Sequence, residues 1–361
     1  MTLERRREQT ILNMEVNLSA TQSLRGIAQG GGAAFLGIPF GQPPIGSLRF
    51  QQPLPAQPWT GVRDATSFAA ACAQDINSQY FTGKQNEYSE DCLYLNVFRP
   101  AHANDTAMLP VLVWIFGGGF TRGASSQRDI NLGDPYYPPR AFFEASSAFN
   151  GSQMLTEPAI IITFNYRLSA LGWLAVPSGV GPWSSSPGQV TGNAGAGDML
   201  LALKWVQDHI SRFGGDPRKV VLFGESAGAF AVCALLATEA SGGLFSGGIS
   251  ESGTCGGLPP ELGGQAAWRP SVAAAFVEKL YNELPACRAN RTISCLQAVP
   301  SAAVVSAAST LEQPALLEGS FVWGPTVDGV IWTTADFSVP VAAHRDSRLI
   351  AGTNAAEVPD P

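Results

Sequence analysis

The run Gly224-Glu-Ser-Ala-Gly228 directly follows the apolar segment Lys219-Val-Val-Leu-Phe223. This order predicts a β-strand that ends in a sharp turn at Ser226, followed by a helix of small residues from Ala227 to about Ala237. Glycines on both sides of the serine permit the close backbone approach that such a turn requires. A serine presented in this way is an exposed nucleophile. A bare Gly-x-Ser-x-Gly motif can also be an ordinary turn, so the flanking strand and helix carry the argument.

The composition is that of a globular chain. Its 361 residues are 45% hydrophobic and 14% charged, which suits a large buried core. The net charge of -7 offers no basic face, so no nucleic acid partner is expected. No apolar run approaches the roughly 18 residues of a transmembrane helix. Residues 1–25 are polar and are predicted to be a loose lead-in, and residues 26–361 to form one domain.

Strands and helices alternate along the chain. The continuous apolar runs at 110–116 and 159–164 are typical of central strands that are covered on both faces. Asp198 is positioned to cap a helix that runs to Phe213, where Gly214 would stop it. This alternation predicts an α/β fold, with a mostly parallel central sheet and helices on both faces. Ligand sites then lie beyond the carboxyl ends of the strands, where Ser226 is placed.

Three glycines, Gly117 to Gly119, follow the predicted strand 110–116 directly. Acyl transfer builds negative charge on a carbonyl oxygen, and backbone N–H groups can stabilise that charge. We assign Gly118 and Gly119 as donors, together with the N–H of Ala227 after the nucleophile. A phosphate-binding loop or a plain turn are the alternatives, but the residues that a phosphate loop needs after its glycines do not follow here.

The cysteines and glycosylation motifs indicate an oxidising compartment. Cys72 and Cys92 bracket one short polar loop and Cys287 and Cys295 another, as local disulfides would. Cys233 and Cys255 are interpreted as buried free thiols. Four Asn-x-Ser/Thr motifs begin at Asn17, Asn104, Asn150 and Asn290. A secreted protein is therefore expected, although Met1 to Thr10 lack the apolar segment of a signal peptide.

The longer motifs resemble the type-B carboxylesterase/lipase family, the cholinesterase-like branch of the α/β-hydrolases. The matching runs span nearly the whole chain, and they include Pro43-Pro-Ile-Gly-Ser-Leu-Arg-Phe50, Ser89-Glu-Asp-Cys-Leu-Tyr-Leu-Asn96, Asn165-Tyr-Arg-Leu168, Gly224-Glu-Ser-Ala-Gly228 and Pro325-Thr-Val-Asp-Gly329. The resemblance implies an α/β-hydrolase fold that is incomplete at its C-terminal end. It also implies a buried ion pair between Arg49 and Glu90.

The resemblance further implies the other members of a catalytic triad. Glu357, in a run that matches the family's Gly-x-Asn-x-x-Glu, is the acid that would orient a histidine, with Ser252 as a residue that could support it. Val358 stands where family members usually carry glycine. The family places its histidine well beyond this acid, whereas only four residues follow Glu357. The three histidines present, at positions 102, 209 and 344, are interpreted as structural or surface residues.

The predicted function is hydrolysis of carboxylic esters through an acyl-serine intermediate, with the histidine supplied from outside these 361 residues. A small-molecule or lipid ester is the expected substrate, and Phe120 and Trp173 are candidates to line its pocket. No metal or organic cofactor is expected. The alternative is an inactive fragment or a cholinesterase-like binding or adhesion module.

Overall fold

The computed structural model describes most of the chain. The described residues are 14–29, 32–75, 88–100, 103–126, 158–176, 192–253, 255, 270–317, 322–333, 337–338 and 340–353. None of the helices within these ranges is long and apolar enough to cross a membrane.

The described strands are short at the N-terminal end and longer in the middle of the chain. They are β1 (Glu15–Asn17), β2 (Gln22–Arg25), β3 (Ile27–Gln29), β4 (Gly32–Pro39), β5 (Gly61–Asp64), β6 (Ala71–Cys72), β7 (Tyr88–Ser89), β8 (Tyr94–Pro100), β9 (Leu109–Ile115), β10 (Ile160–Phe164), β11 (Gly215–Glu225), β12 (Gly247–Glu251) and β13 (Arg348–Gly352). The described α-helices are α1 (Ser169–Trp173), α2 (Ala194–His209), α3 (Ala227–Leu236), α4 (Pro270–Glu283), α5 (Ile293–Ala298) and α6 (Ser301–Leu317).

The main sheet has eight strands in the order β13-β12-β11-β9-β10-β8-β4-β3. The first five of these are parallel neighbours, and the last three join through antiparallel pairs. The sheet is therefore mixed, and its parallel half is the one that carries Ser226. Parallel neighbours need crossover connections, whereas antiparallel neighbours can follow one another with shorter links.

The predicted central strands are confirmed. Every residue of β10 is buried, as are most residues of β9, because strands inside the sheet are covered on both faces. The helix predicted after the serine is α3, and it packs on β11 and β12.

The lead-in predicted for residues 1–25 is ordered in its second half. Strands β1 and β2 pair antiparallel, and β2 also pairs with β5 in a separate three-stranded sheet. Val16 and Leu24 are buried, and burial of these two side chains fixes the segment against the core. Residues 1–13 lie outside the described part of the chain.

Asp198 is not the helix cap that its sequence position predicts. Helix α2 begins four residues earlier, at Ala194, and Asp198 lies fully buried inside it. One carboxylate oxygen accepts hydrogen bonds from the backbone N–H and the Nε of Arg167, and the other accepts from its Nη2 at 2.7 Å. Asp198 therefore pairs with Arg167 in the core instead of capping the helix, since a buried aspartate must be paired. The stop at Gly214 is confirmed by its left-handed φ of 90°.

Three disulfides join the cysteines of the described chain. Cys72–Cys92 and Cys287–Cys295 are the predicted pairs. The prediction of free thiols at Cys233 and Cys255 was wrong, because these two residues form the third disulfide. Helix α3 packs on β12, and the Cα atoms of Cys233 in this helix and of Cys255 after β12 lie 5.0 Å apart.

The ion pair between Arg49 and Glu90 is present. The guanidinium donates two hydrogen bonds of 2.6 Å to the carboxylate, and it also donates to the carbonyl of Leu296 in α5. The Arg49 guanidinium thus links the segment beside the Cys72–Cys92 disulfide to helix α5, and the role of this ion pair is structural.

Candidate active site

Ser226 lies at a strained turn between β11 and α3. Its backbone has φ 54° and ψ −121°, a combination that an L-residue rarely adopts. Two backbone bonds hold it there. The N–H of Ser226 donates to the carbonyl of Glu251 at 3.0 Å, and the Ser226 carbonyl accepts from the N–H of Phe230 at 3.0 Å. The side chain is partly exposed, as a nucleophile requires.

The flanking glycines are required by close packing of the backbone. A Cβ on Gly224 would lie 2.6 Å from the carbonyl carbon of Gly228. A Cβ on Gly228 would overlap the carbonyl oxygen of Ile115, at the end of β9. Any larger residue at either position would push β11, α3 and β9 apart.

The triple-glycine loop lies directly beside the serine. Strands β9 and β11 are parallel neighbours, and Gly224 is paired with Ile115, so both chains leave the sheet at the same edge. A Cβ on Gly117 would come within 3.0 Å of the Cβ of Ser226 and 2.6 Å of the Glu225 carbonyl. The loop and the turn are thus in van der Waals contact, and only glycine fits between them.

The loop backbone is left-handed over three consecutive residues. Gly118, Gly119 and Phe120 have φ values of 100°, 63° and 61°. The carbonyl of Gly118 accepts from the N–H groups of Thr121 and Arg122, which closes a tight turn. Within the described residues, no acceptor takes the N–H of Gly118 or Gly119, nor that of Ala227 at the start of α3. These three N–H groups are the predicted oxyanion donors.

Side chains from the core hold both ends of the loop. The hydroxyl of Tyr166 donates to the Phe116 carbonyl at 2.7 Å, and the two rings stack at 4.2 Å. The amide of Gln74 donates to the carbonyl of Gly123 and accepts from its N–H, at 2.8 and 3.0 Å. The loop is therefore preorganised before any ligand arrives.

Phe120 and Trp173 pack against each other behind the loop rather than along an open surface. Their ring centroids lie 4.7 Å apart, and both side chains are buried. The Phe120 carbonyl accepts from the N–H of Ser169 at 2.7 Å. Ser169 is itself strained, with φ 54°, and its hydroxyl donates to the carboxylate of Glu312 at 2.6 Å. Burial raises the pKa of Glu312 to about 7, and the Ser169 hydroxyl opposes that rise.

Two further carboxylates lie at the same edge of the sheet. Glu225, directly before Ser226, is paired with Glu251 on the neighbouring strand β12. Burial raises the pKa of Glu251. Within the described residues, no group of three or more His, Cys, Asp or Glu side chains is arranged to hold a metal ion.

Comparisons with known proteins agree with this arrangement. The model of the carboxylesterase family matches residues 15–359 of the chain. The chain belongs to the carboxylesterase family. The match begins at β1, inside the segment predicted to be a lead-in, in keeping with the order seen there.

Individual relatives are similar over much of this chain. The cocaine esterase of Oryctolagus cuniculus is 42% identical over 225 residues, which is 60% of this chain and 37% of that protein. The acylcarnitine hydrolase of Mus musculus is 34% identical over 300 residues, 80% of this chain and 46% of that protein. The chain thus spans less than half the length of either relative.

Solved structures share the α/β-hydrolase fold with this member of the carboxylesterase family. A thermophilic PNB esterase superposes with a TM-score of 0.74 at 30% identity, over 95% of this chain and 63% of that one. A carboxylesterase of Geobacillus stearothermophilus gives 0.71 at 30% identity, over 94% of this chain and 62% of that one. The predicted fold class is confirmed.

The structure describes two of the three histidines but not the predicted acid. Glu357 and His102 lie outside the described residues. His344 is buried before β13, at the opposite end of its strand from the carboxyl edge, and its ring bonds Ser241 at 2.8 Å. His209 ends α2 and packs against Trp205. Burial lowers the pKa of both histidines. Their interpretation as structural or surface residues stays a prediction.

Sequence reasoning missed the residues that support the loop. Gln74, Ser169 and Glu312 come from three distant segments, so no local motif joins them. One signal was available for Glu312. It is the one charged residue in the 17 residues of α6, which are otherwise mostly alanine, valine, leucine and serine.

Proposed function

We propose that this carboxylesterase chain carries the nucleophile and the oxyanion-binding loop of a carboxylic ester hydrolase that works through an acyl-serine intermediate. The observation that carries the proposal is the contact between Gly117 and Ser226 at the shared edge of β9 and β11. Three N–H groups, those of Gly118, Gly119 and Ala227, are the donors for the oxyanion. Small-molecule or lipid esters are the proposed substrates, in line with the esterase names of the relatives.

The reaction proceeds in two stages. The Ser226 oxygen attacks the ester carbonyl and its proton passes to a base, while the carbonyl oxygen takes the negative charge. The tetrahedral adduct collapses, and the alcohol leaves with a proton. Water then attacks the acyl-serine in the same way and releases the carboxylic acid. The base is a histidine from beyond Pro361, oriented by Glu357. Reading the coding sequence past Pro361 tests this source directly, and a stop codon there would contradict it.

The rival proposal is an inactive fragment or an adhesion module. A positive φ of 54° at a serine costs folding free energy. An inactive or adhesive protein would gain nothing in return for that cost. The strain at Ser226, together with the preorganised loop, favours the enzyme.

Covalent labelling tests the proposed nucleophile. A fluorophosphonate is expected to add one adduct per chain, on the tryptic peptide that contains Ser226. The labelling is carried out on the protein extended past Pro361 through the segment that supplies the histidine, because a serine without its base attacks poorly even beside oxyanion donors. The Ser226→Ala variant should remain unlabelled, and Ser19→Ala, at an exposed turn, should label normally. A folded chain that labels no faster than its Ser226→Ala variant would contradict the proposal.

We also propose a secretory location. Three disulfides support it, because such bonds persist in oxidising compartments. The asparagines of three of the Asn-x-Ser/Thr motifs, at positions 17, 104 and 290, are exposed and accessible to glycosylation. Endoglycosidase treatment of the protein from its natural source should therefore lower its mass. A mass equal to that of the bare chain would count against this location.

A further inference from the structure

Helix α6 contacts the segments that hold the glycine loop at two points, one helical turn apart. Glu312 accepts a hydrogen bond from the Ser169 hydroxyl at 2.6 Å. Ser309 donates to the carboxylate of Asp75 at 2.6 Å, and Asp75 follows Gln74, which clamps Gly123. Residues at i and i+3 share one face of a helix, so a single face of α6 contacts the segments that hold Phe120 and Gly123.

The first of these contacts belongs to a pair of hydrogen bonds that links Glu312 to Phe120 through Ser169, called the relay below. The Ser169 side chain is held by Glu312, and the Ser169 backbone N–H donates to the Phe120 carbonyl at 2.7 Å. Both Phe120 and Ser169 have a positive φ, which residues other than glycine rarely adopt. Strained residues persist only where neighbouring groups over-determine them. The carboxylate is the group that fixes the far end of this relay.

Glu312 is an unusual residue for an apolar helix. It is 8% exposed, and desolvation of its charged form raises its pKa to about 7. Arg122, in the loop itself, attracts the carboxylate, and Asp75 repels it. A leucine would fill this space without the cost of burying a carboxyl group, so the role of the residue is in its polar contact.

We propose that Glu312 is a positioning residue for the oxyanion loop, and that it acts through Ser169 on the backbone of Phe120. This inference rests on the proposed function of that loop. Loss of the carboxyl group frees Ser169 and lets the left-handed turn at Gly118 to Phe120 relax. The carboxamide of glutamine keeps an acceptor in the same place, so it should preserve the relay.

Hydrogen exchange measures the relay without any need for activity. Glu312→Ala is expected to speed amide exchange in peptides that cover residues 117–126 by about 10-fold or more, as loss of a hydrogen bond to a charged group implies. Glu312→Gln should change it by less than about 3-fold. The control is Ser306→Ala, at an exposed position of the same helix.

A second variant separates the relay from general damage. Ser169→Ala should speed amide exchange in the same peptides. In the double variant with Glu312→Ala, exchange should be no faster than in the faster of the two single variants. Exchange that is unchanged in 117–126, or that rises equally throughout the chain, would overturn the proposal.

The pH dependence of unfolding gives an independent readout. A carboxyl group whose pKa rises from 4.5 to about 7 on folding stabilises the protein fully below pH 4.5, and this contribution is lost as the pH rises through about 7. Glu312→Gln cannot ionise. Its unfolding equilibrium constant should therefore fall relative to that of the wild type, by about two orders of magnitude between pH 4.5 and pH 8.5. If the ratio of the unfolding equilibrium constants of Glu312→Gln and the wild type stays constant with pH, the carboxyl group is not held in this buried relay.

Fluorophosphonate labelling links the relay to the chemistry. Glu312→Ala should label Ser226 at least about 10-fold more slowly than the wild type, and Glu312→Gln, which keeps an acceptor for Ser169, should label within about 3-fold of it. A wild-type chain that does not label counts against the ester hydrolase, and the exchange experiment then still decides the role of Glu312. Labelling that is equal in wild type and Glu312→Ala overturns the positioning role.

Discussion

The Gly118→Ala variant is expected to react with a fluorophosphonate at Ser226 at least about 100-fold more slowly than the wild type, as removal of one oxyanion donor typically does. The added Cβ would overlap the carbonyl oxygen of Arg122, a backbone atom that cannot rotate away. The φ of 100° at this position also disfavours any side chain. The turn must open, and the N–H groups of residues 118 and 119 then no longer converge. The measurement is the second-order labelling rate constant.

A matched glycine separates this effect from strain alone. Gly61 has φ 87°, close to that of Gly118, but no atom lies within 4 Å of the position of its Cβ. Gly61→Ala should therefore cost some stability and leave the labelling rate nearly unchanged. Equal rates in Gly118→Ala and the wild type would show that the loop does not hold the developing charge.

The Asp198→Ala variant is expected to lose about 3–5 kcal/mol of unfolding free energy, because it leaves the guanidinium of Arg167 buried without its counter-charge. Arg167 is 3% exposed and Asp198 is fully buried. Neither water nor a mobile side chain can replace the two-pronged contact. Urea unfolding followed by circular dichroism gives the free energy, provided that the slope with urea is unchanged.

The control lies on the same helix. Lys204 and Asp208 form an ion pair at 3.1 Å on the exposed side of α2. Asp208→Ala should change the unfolding free energy by no more than about 0.5 kcal/mol, since exposed pairs contribute little. A loss in Asp198→Ala as small as that in Asp208→Ala would mean that the buried pair is compensated elsewhere.

Local patterns were enough to predict the elements that carry the proposed nucleophile and the glycine loop. The apolar run before Gly224 and the small residues after Ser226 specify a strand, a turn and a helix, and all three are present. Gly117 to Gly119 follow β9, as predicted from the run that precedes them. The meeting of these two segments followed from one topological rule, that parallel neighbours end at the same edge.

Partners that are far apart in sequence could not be predicted in the same way. Asp198 satisfies the local preference for a helix start, but burial beside Arg167 decides its role. Cys233 and Cys255 are 22 residues apart, without the short polar loop that indicated the other pairs. The contact between Ser169 and Glu312 joins residues 143 positions apart, and it depends on how α6 packs against α1.

The parallel pairing of β9 with β11 also sets a dimension of the site. Adjacent strands are about 4.8 Å apart, a spacing that backbone hydrogen bonding fixes. The width of the gap in which an ester carbonyl would sit, between the attacking oxygen and the amides opposite, is therefore inherited from the sheet. Substitution of side chains can reshape the walls that would hold the acyl and alcohol groups, while the separation of the two strand ends stays fixed as long as the sheet is intact.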